Sequence, residues 1–149
     1  MSIDVDALIA GAKAAFQRVD PVTQDVELGD EIVGVRVWPL SGSEWRDLVV
    51  KHPPRPDAVR DRNMGYNLDS VSRVYPRVAL VVDDVEQQVG ERWPDIWDVL
   101  SAPDQENVAL AIWGLNEFDP RKRVEGKALK GGRKKKRSSP ENSGSQSEN

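Results

Sequence analysis

Residues 38–50, WPLSGSEWRDLVV, carry the chain from a strand into a helix, and their reading decides the fold. Ser41 and Glu44 have capping-box spacing. In that motif the serine oxygen accepts from the glutamate amide, and the glutamate reaches back to the serine amide. Leu40 before the cap and Trp45 after it hold the two positions of a hydrophobic staple. Trp45, Leu48, Val49 and His52 then recur at i, i+3, i+4 and i+7, one face of a helix predicted from about Gly42 to Lys51. Pro53-Pro54 stops it.

Upstream, VTQDVEL and EIVGVRVW flank Gly29-Asp30. Val26 and Leu28 alternate on one arm, and Val33, Val35 and Val37 on the other. Glycine first in a two-residue loop suits a type II′ turn, so residues 22–28 and 31–38 read as a β-hairpin. A lone two-stranded ribbon is marginal in water, so its apolar face must lie on helices. Residues 4–17 read as a further helix, with Leu8, Ile9, Ala12 and Phe16 on a shared face, ended by Asp20-Pro21.

Downstream, PPRPDAVRDRNMGYN reads as a loop with one helical turn at Asp57–Arg62, closed near Gly65. LDSVSRVYPRVALVVDD fits a short helix, a break at Tyr75-Pro76 and a second helix through about Val82, although RVALVV alone also suits a buried strand. Residues 83–92 read as a polar connection. Pro94 at a first helical position opens PDIWDVL. Ser101 with Asp104 caps a last helix, in which Val108, Ala111, Ile112, Leu115 and Phe118 keep helical spacing until Asp119-Pro120. The predicted class is α+β, mostly α. A β-hairpin packs on a small helical domain at 20–123, behind a separate helix in 1–19 and ahead of a disordered basic and polar tail at 124–149.

The 149-residue chain has no cysteine, which excludes disulfides, thiol catalysis and thiolate metal sites. No apolar run is long enough to span a bilayer, and the N-terminus has no basic region of a secretory signal. Residues 121–149 hold ten Lys or Arg against three Glu, a net of +7, so residues 1–120 carry −11 of the total of −4. The body should repel nucleic acid, and any attraction must come from the tail. Phosphate-binding glycine loops, nucleophile elbows and zinc-protease motifs are absent. His52 has no ligand or catalytic spacing around it, and Asp83-Asp84 and Asp95/Asp98 read as solvated pairs. No enzymatic activity, cofactor or metal is expected. Five tryptophans are many for this length, and tryptophan is enriched at interface hot spots. The candidate protein-binding residues are Trp93, Trp97, Trp113, Leu115 and Phe118 on the two late helices.

The order of these pieces resembles the tail assembly chaperones of long-tailed bacteriophages of actinobacteria. The residues that carry it are the valine-rich hairpin running into PLSGSEWRDL, the following HPPRP, the helix NVALAIWGLNEF with Asn116 near its end, and the charged C-terminus. The resemblance covers roughly residues 20–120, and residues 68–92 do not follow it. It implies a protein of the host cytoplasm that binds the tape measure protein, keeps it soluble, recruits the major tail tube protein and is absent from the mature virion. It also implies a programmed frameshift that yields a longer fusion, for which Lys134-Lys135-Lys136 is the candidate slippery run. Weak self-association is expected beside these partners; a membrane or nucleic acid is not. The alternatives are a small nucleic-acid-associated regulator acting through its basic tail, and a tail completion or adaptor protein.

Overall fold

The computed structural model describes residues 2–130. The chain divides into two compact units, Met1–Asn116 and Glu117–Asn149. In the first, α1 (Val5–Gln17) precedes β1 (Val22–Leu28) and β2 (Glu31–Val37). Three short helices follow, α2 (Gly42–Val49), α3 (Val59–Met64) and α4 (Leu68–Arg73). Then come β3 (Val78–Val82), β4 (Val85–Gln88), α5 (Trp93–Val99) and α6 (Ala102–Trp113).

The predicted hairpin is present, with Leu28 paired to Glu31 and Val26 to Val33. Gly29 has φ 63, the left-handed conformation that the first residue of a type II′ turn requires. The hairpin is half of a sheet of four antiparallel strands in the order β1-β2-β3-β4. Val26, Val35, Val37 and Val78 turn one face of the sheet into a core shared with Trp45, Leu68, Val71, Trp93, Val108 and Ile112. On the opposite face Arg36 Nε donates to Thr23 Oγ1 at 2.9 Å and Nη1 to Glu86 Oε1 at 2.9 Å, tying β1, β2 and β4 together. Gly34 lies in the same layer, where a Cβ would come within 2.9 Å of the Thr23 methyl.

Two expectations are corrected here. The helix predicted through Val82 is strand β3, paired to β2 through Val37–Val78 and Val35–Leu80. A short run of valines fits both periodicities, and the unpaired edge of β2 decides between them. The predicted polar connection at 83–92 contains β4, reached through a two-residue turn in which Asp83 and Asp84 both have positive φ, 50 and 64. Aspartate is among the few residues other than glycine that tolerate this conformation, and a type I′ hairpin turn needs it at both positions.

The late helix is also corrected. Its α-helical bonding stops at Trp113, and Gly114–Phe118 is π-helical. Asp119-Pro120 does not end the helical chain. It opens α7 (Asp119–Lys130), with the proline in a first turn where a missing N–H costs little. Residues 124–130 are therefore helical where disorder was predicted; the rest of that tail, 131–149, including Lys134-Lys135-Lys136, lies outside the described residues.

Residues 38–45 hold the first unit together. Both halves of the capping box form: Ser41 Oγ accepts from the Glu44 amide at 3.2 Å, and Glu44 Oε1 from the Ser41 amide at 3.0 Å. Leu40 and Trp45 are both buried. Three backbone groups just ahead of the cap are met from far along the chain. Tyr75 Oη donates to the Trp38 carbonyl at 2.6 Å, and Arg77 Nη1 to the Pro39 carbonyl at 2.7 Å. Asn116 Oδ1 accepts from the Leu40 amide at 2.9 Å. Asn116 Nδ2 donates to Tyr75 Oη at 2.8 Å and to the Ile112 carbonyl at 2.9 Å. Burial pushes the Tyr75 phenol up to about 12, so it stays protonated and able to donate.

Removing Asn116 strands a buried amide. Asn116→Ala should cost about 2 kcal/mol and Tyr75→Phe about 1 kcal/mol. The double variant should cost less than the two together, because they share one hydrogen bond. Urea unfolding followed by tryptophan fluorescence measures all three, and strict additivity would contradict the shared network.

Candidate protein-binding surfaces

Of the five candidate protein-binding residues, three are buried, one is half-buried and one is exposed. Trp93, Trp97 and Leu115 are only 1%, 5% and 3% exposed and belong to the core. Trp93 Nε1 donates to the Ser72 carbonyl at 2.7 Å, and its ring meets Trp97 edge-on at a centroid distance of 6.2 Å. These three are corrected to core residues: helical spacing identifies an apolar stripe but not what covers it. Trp113 is half-buried. Phe118 is exposed and lies in the second unit, where Lys122 Nζ stands 5.7 Å from the centre of its ring.

The accessible apolar surface of the first unit lies elsewhere. Helix α1 has no buried residue, and Val5, Leu8 and Ile9 are 59%, 63% and 49% exposed. Asp4 caps it by accepting from the Ala7 amide at 3.0 Å. Ala12, Lys13, Phe16 and Gln17 line an open groove of about 360 Å³ with Ser41 and Gly42, beside the start of α2. On α6 Leu110 is exposed next to half-buried Trp113. The shared face of residues 4–17 was legible in the sequence, but its missing cover was not.

The loop between α2 and α4 is held by charge. Asp61 is buried; its Oδ2 accepts from the Arg55 amide at 2.9 Å and from Arg55 Nε at 2.8 Å, and its Oδ1 from Arg55 Nη2 at 3.0 Å. Arg55 also reaches Asp69 at 3.1 Å. Arg60 joins Asp69 at 3.2 Å to Glu106 at 2.7 Å, which fastens α3 to α4 and α6. The Arg55 guanidinium beside it holds the Asp61 carboxyl below the usual carboxylate range, and Asp61 in turn raises Arg55. No local sequence pattern marks these ion pairs, whose partners lie 6 to 46 positions apart. His52 plays a related part. Its Nδ1 lies 2.9 Å from Ser70 Oγ, and its carbonyl accepts from the Asn67 amide at 2.9 Å, which seats the cap of α4. Burial, then the charge of Lys51, lowers the imidazole pKa.

Among the described residues no group of three or more His, Asp or Glu could hold a metal ion, and no helix is long and apolar enough to cross a membrane. No protein family, curated protein or solved structure matches the chain.

The Asp61 cluster carries a pH signature. A carboxyl whose folded pKa is depressed adds stability above its unfolded pKa, near 4, and loses it as pH falls through the folded value. Asp61→Asn should therefore cost about 2 kcal/mol at neutral pH and progressively less in acid. Urea midpoints of the two proteins taken from neutral pH downward should converge; a constant gap would contradict the ion-pair assignment.

Proposed function

We propose that the chain is a tail assembly chaperone of a long-tailed bacteriophage, working in the host cytoplasm. It binds the tape measure protein, keeps it soluble and brings it to tail tube subunits. The observation that carries this reading is an exposed apolar helix, α1, on a folded unit of strongly acidic sequence. The order of hairpin, capped helix, proline loop and Asn116-bearing helix supports it as well. A long helical client offers apolar stripes, and an amphipathic helix such as α1 can cover one. The acidic body keeps the complex apart from others of its kind. Binding needs no opened core, since the surface it uses is already outside.

A second reading is favoured by α7, on which Arg121, Lys122, Arg123 and Lys127 are exposed. These would contact phosphates of a nucleic acid in a small regulator. The four-fold glutamine variant at these positions, in the full chain, tests it by a gel-shift assay across salt concentrations. Loss of a salt-dependent shift would support the regulator, and no shift from either protein would remove it.

For the chaperone reading the test is co-expression with the tape measure protein of the same phage. The client should be soluble with the chain and aggregate without it, and Leu8→Asp with Ile9→Asp should cut the soluble fraction several-fold. A client equally soluble alone would overturn the reading.

A further inference from the structure

Helix α1 has 13 residues and buries none of them. Helices of that length are marginal alone in water, so most of their stability comes from a covered apolar face. Val5, Leu8, Ile9, Ala12 and Phe16 form one stripe along it. The charges beside that stripe are sorted along the axis. Asp4 and Asp6 stand at its beginning, and Lys13 and Arg18 toward its end. Whatever covers the helix must match this polarity, and a second α1 running the opposite way does so.

We infer that α1 pairs antiparallel with α1 of a second copy of this chain. Val5 then faces the partner's Phe16, and Ile9 faces the partner's Ala12, whose small side chain lets the backbones approach. Asp4 comes beside the partner's Arg18 and Asp6 within reach of the partner's Lys13, each on its own flank of the seam. The partner's Val5 enters the groove that Ala12 and Phe16 line with Ser41 and Gly42. The two helix dipoles are opposed, and a parallel pair would set acids against acids. The contact is isologous, so it closes at two copies. Exposed ion pairs contribute little each, so they select the direction while the apolar seam supplies the affinity. The same seam serves the client in the chaperone reading, and client and partner then compete for it. The pairing itself needs no client and stands apart from that reading.

Sedimentation equilibrium of the full chain from micromolar to millimolar concentration tests the pairing. The wild-type protein should form a reversible dimer. Asp6→Lys and Lys13→Glu should each weaken it about tenfold, because the symmetric contact puts two like-charge pairs in place of two attractive ones. An equimolar mixture of these two variants should recover the wild-type affinity, since the added lysine of one meets the added glutamate of the other. Leu8→Asp with Ile9→Asp should leave a monomer. Near-UV circular dichroism should be the same for every variant, because α1 contributes no buried side chain. A wild-type monomer throughout, single charge variants that dimerise like wild type, or a mixture that fails to recover would each overturn the inference.

Discussion

Four successive residues between β2 and α2 have their backbone groups held by hydrogen bonds, three of them from side chains far along the chain. Tyr75 takes the carbonyl of Trp38, Arg77 that of Pro39, Asn116 the amide of Leu40, and Glu44 the amide of Ser41. A strand-to-helix connection cannot bond to itself, and an unmet buried amide costs as much as a lost hydrogen bond. Meeting it with Asn116 fixes the end of α6 against the end of β2. Because Tyr75 also binds Asn116, the α4–β3 connection is held to the same point. The sheet and the helices therefore meet in one polar knot, and the tryptophan-rich core fills the space beside it.

That arrangement decides which side chains are buried and which stay exposed. With Trp93, Trp97 and Leu115 inside, the large aromatics serve packing. Exposed apolar side chains include Val5, Leu8 and Ile9 on α1 and Leu110 on α6. A helix with no buried residue can move without disturbing the core. The charge is divided as well: the body is acidic, and the cationic residues of α7 belong to a different unit.

Much of this was readable from local chemistry. The capping box, the staple, the Gly29-Asp30 turn and the helices flanked by proline and serine all follow from contacts within a few residues. The parts that escaped depend on distance along the chain. Whether RVALVV is helix or strand is decided by β2, some 40 residues earlier, and not by its own spacing. The Asp83-Asp84 turn looked like solvated acid because its value lies in tolerating positive φ. The Asp61–Arg55–Asp69–Arg60–Glu106 chain pairs residues up to 46 positions apart. The burial of Trp93, Trp97 and Leu115 escaped for the same reason, since cover is a tertiary property.

The core is closed, while helix α1 buries no residue. Hydrogen exchange of the free full-length chain, read by residue at concentrations too low for pairing, tests it most directly. The amides of Leu40, Val35 and Ile112 should exchange together and slowest, at the rate of global unfolding, while those of α1 exchange orders of magnitude faster. An α1 protected as strongly as Ile112, or a Leu40 amide that exchanges as freely as the loop residues, would contradict the account.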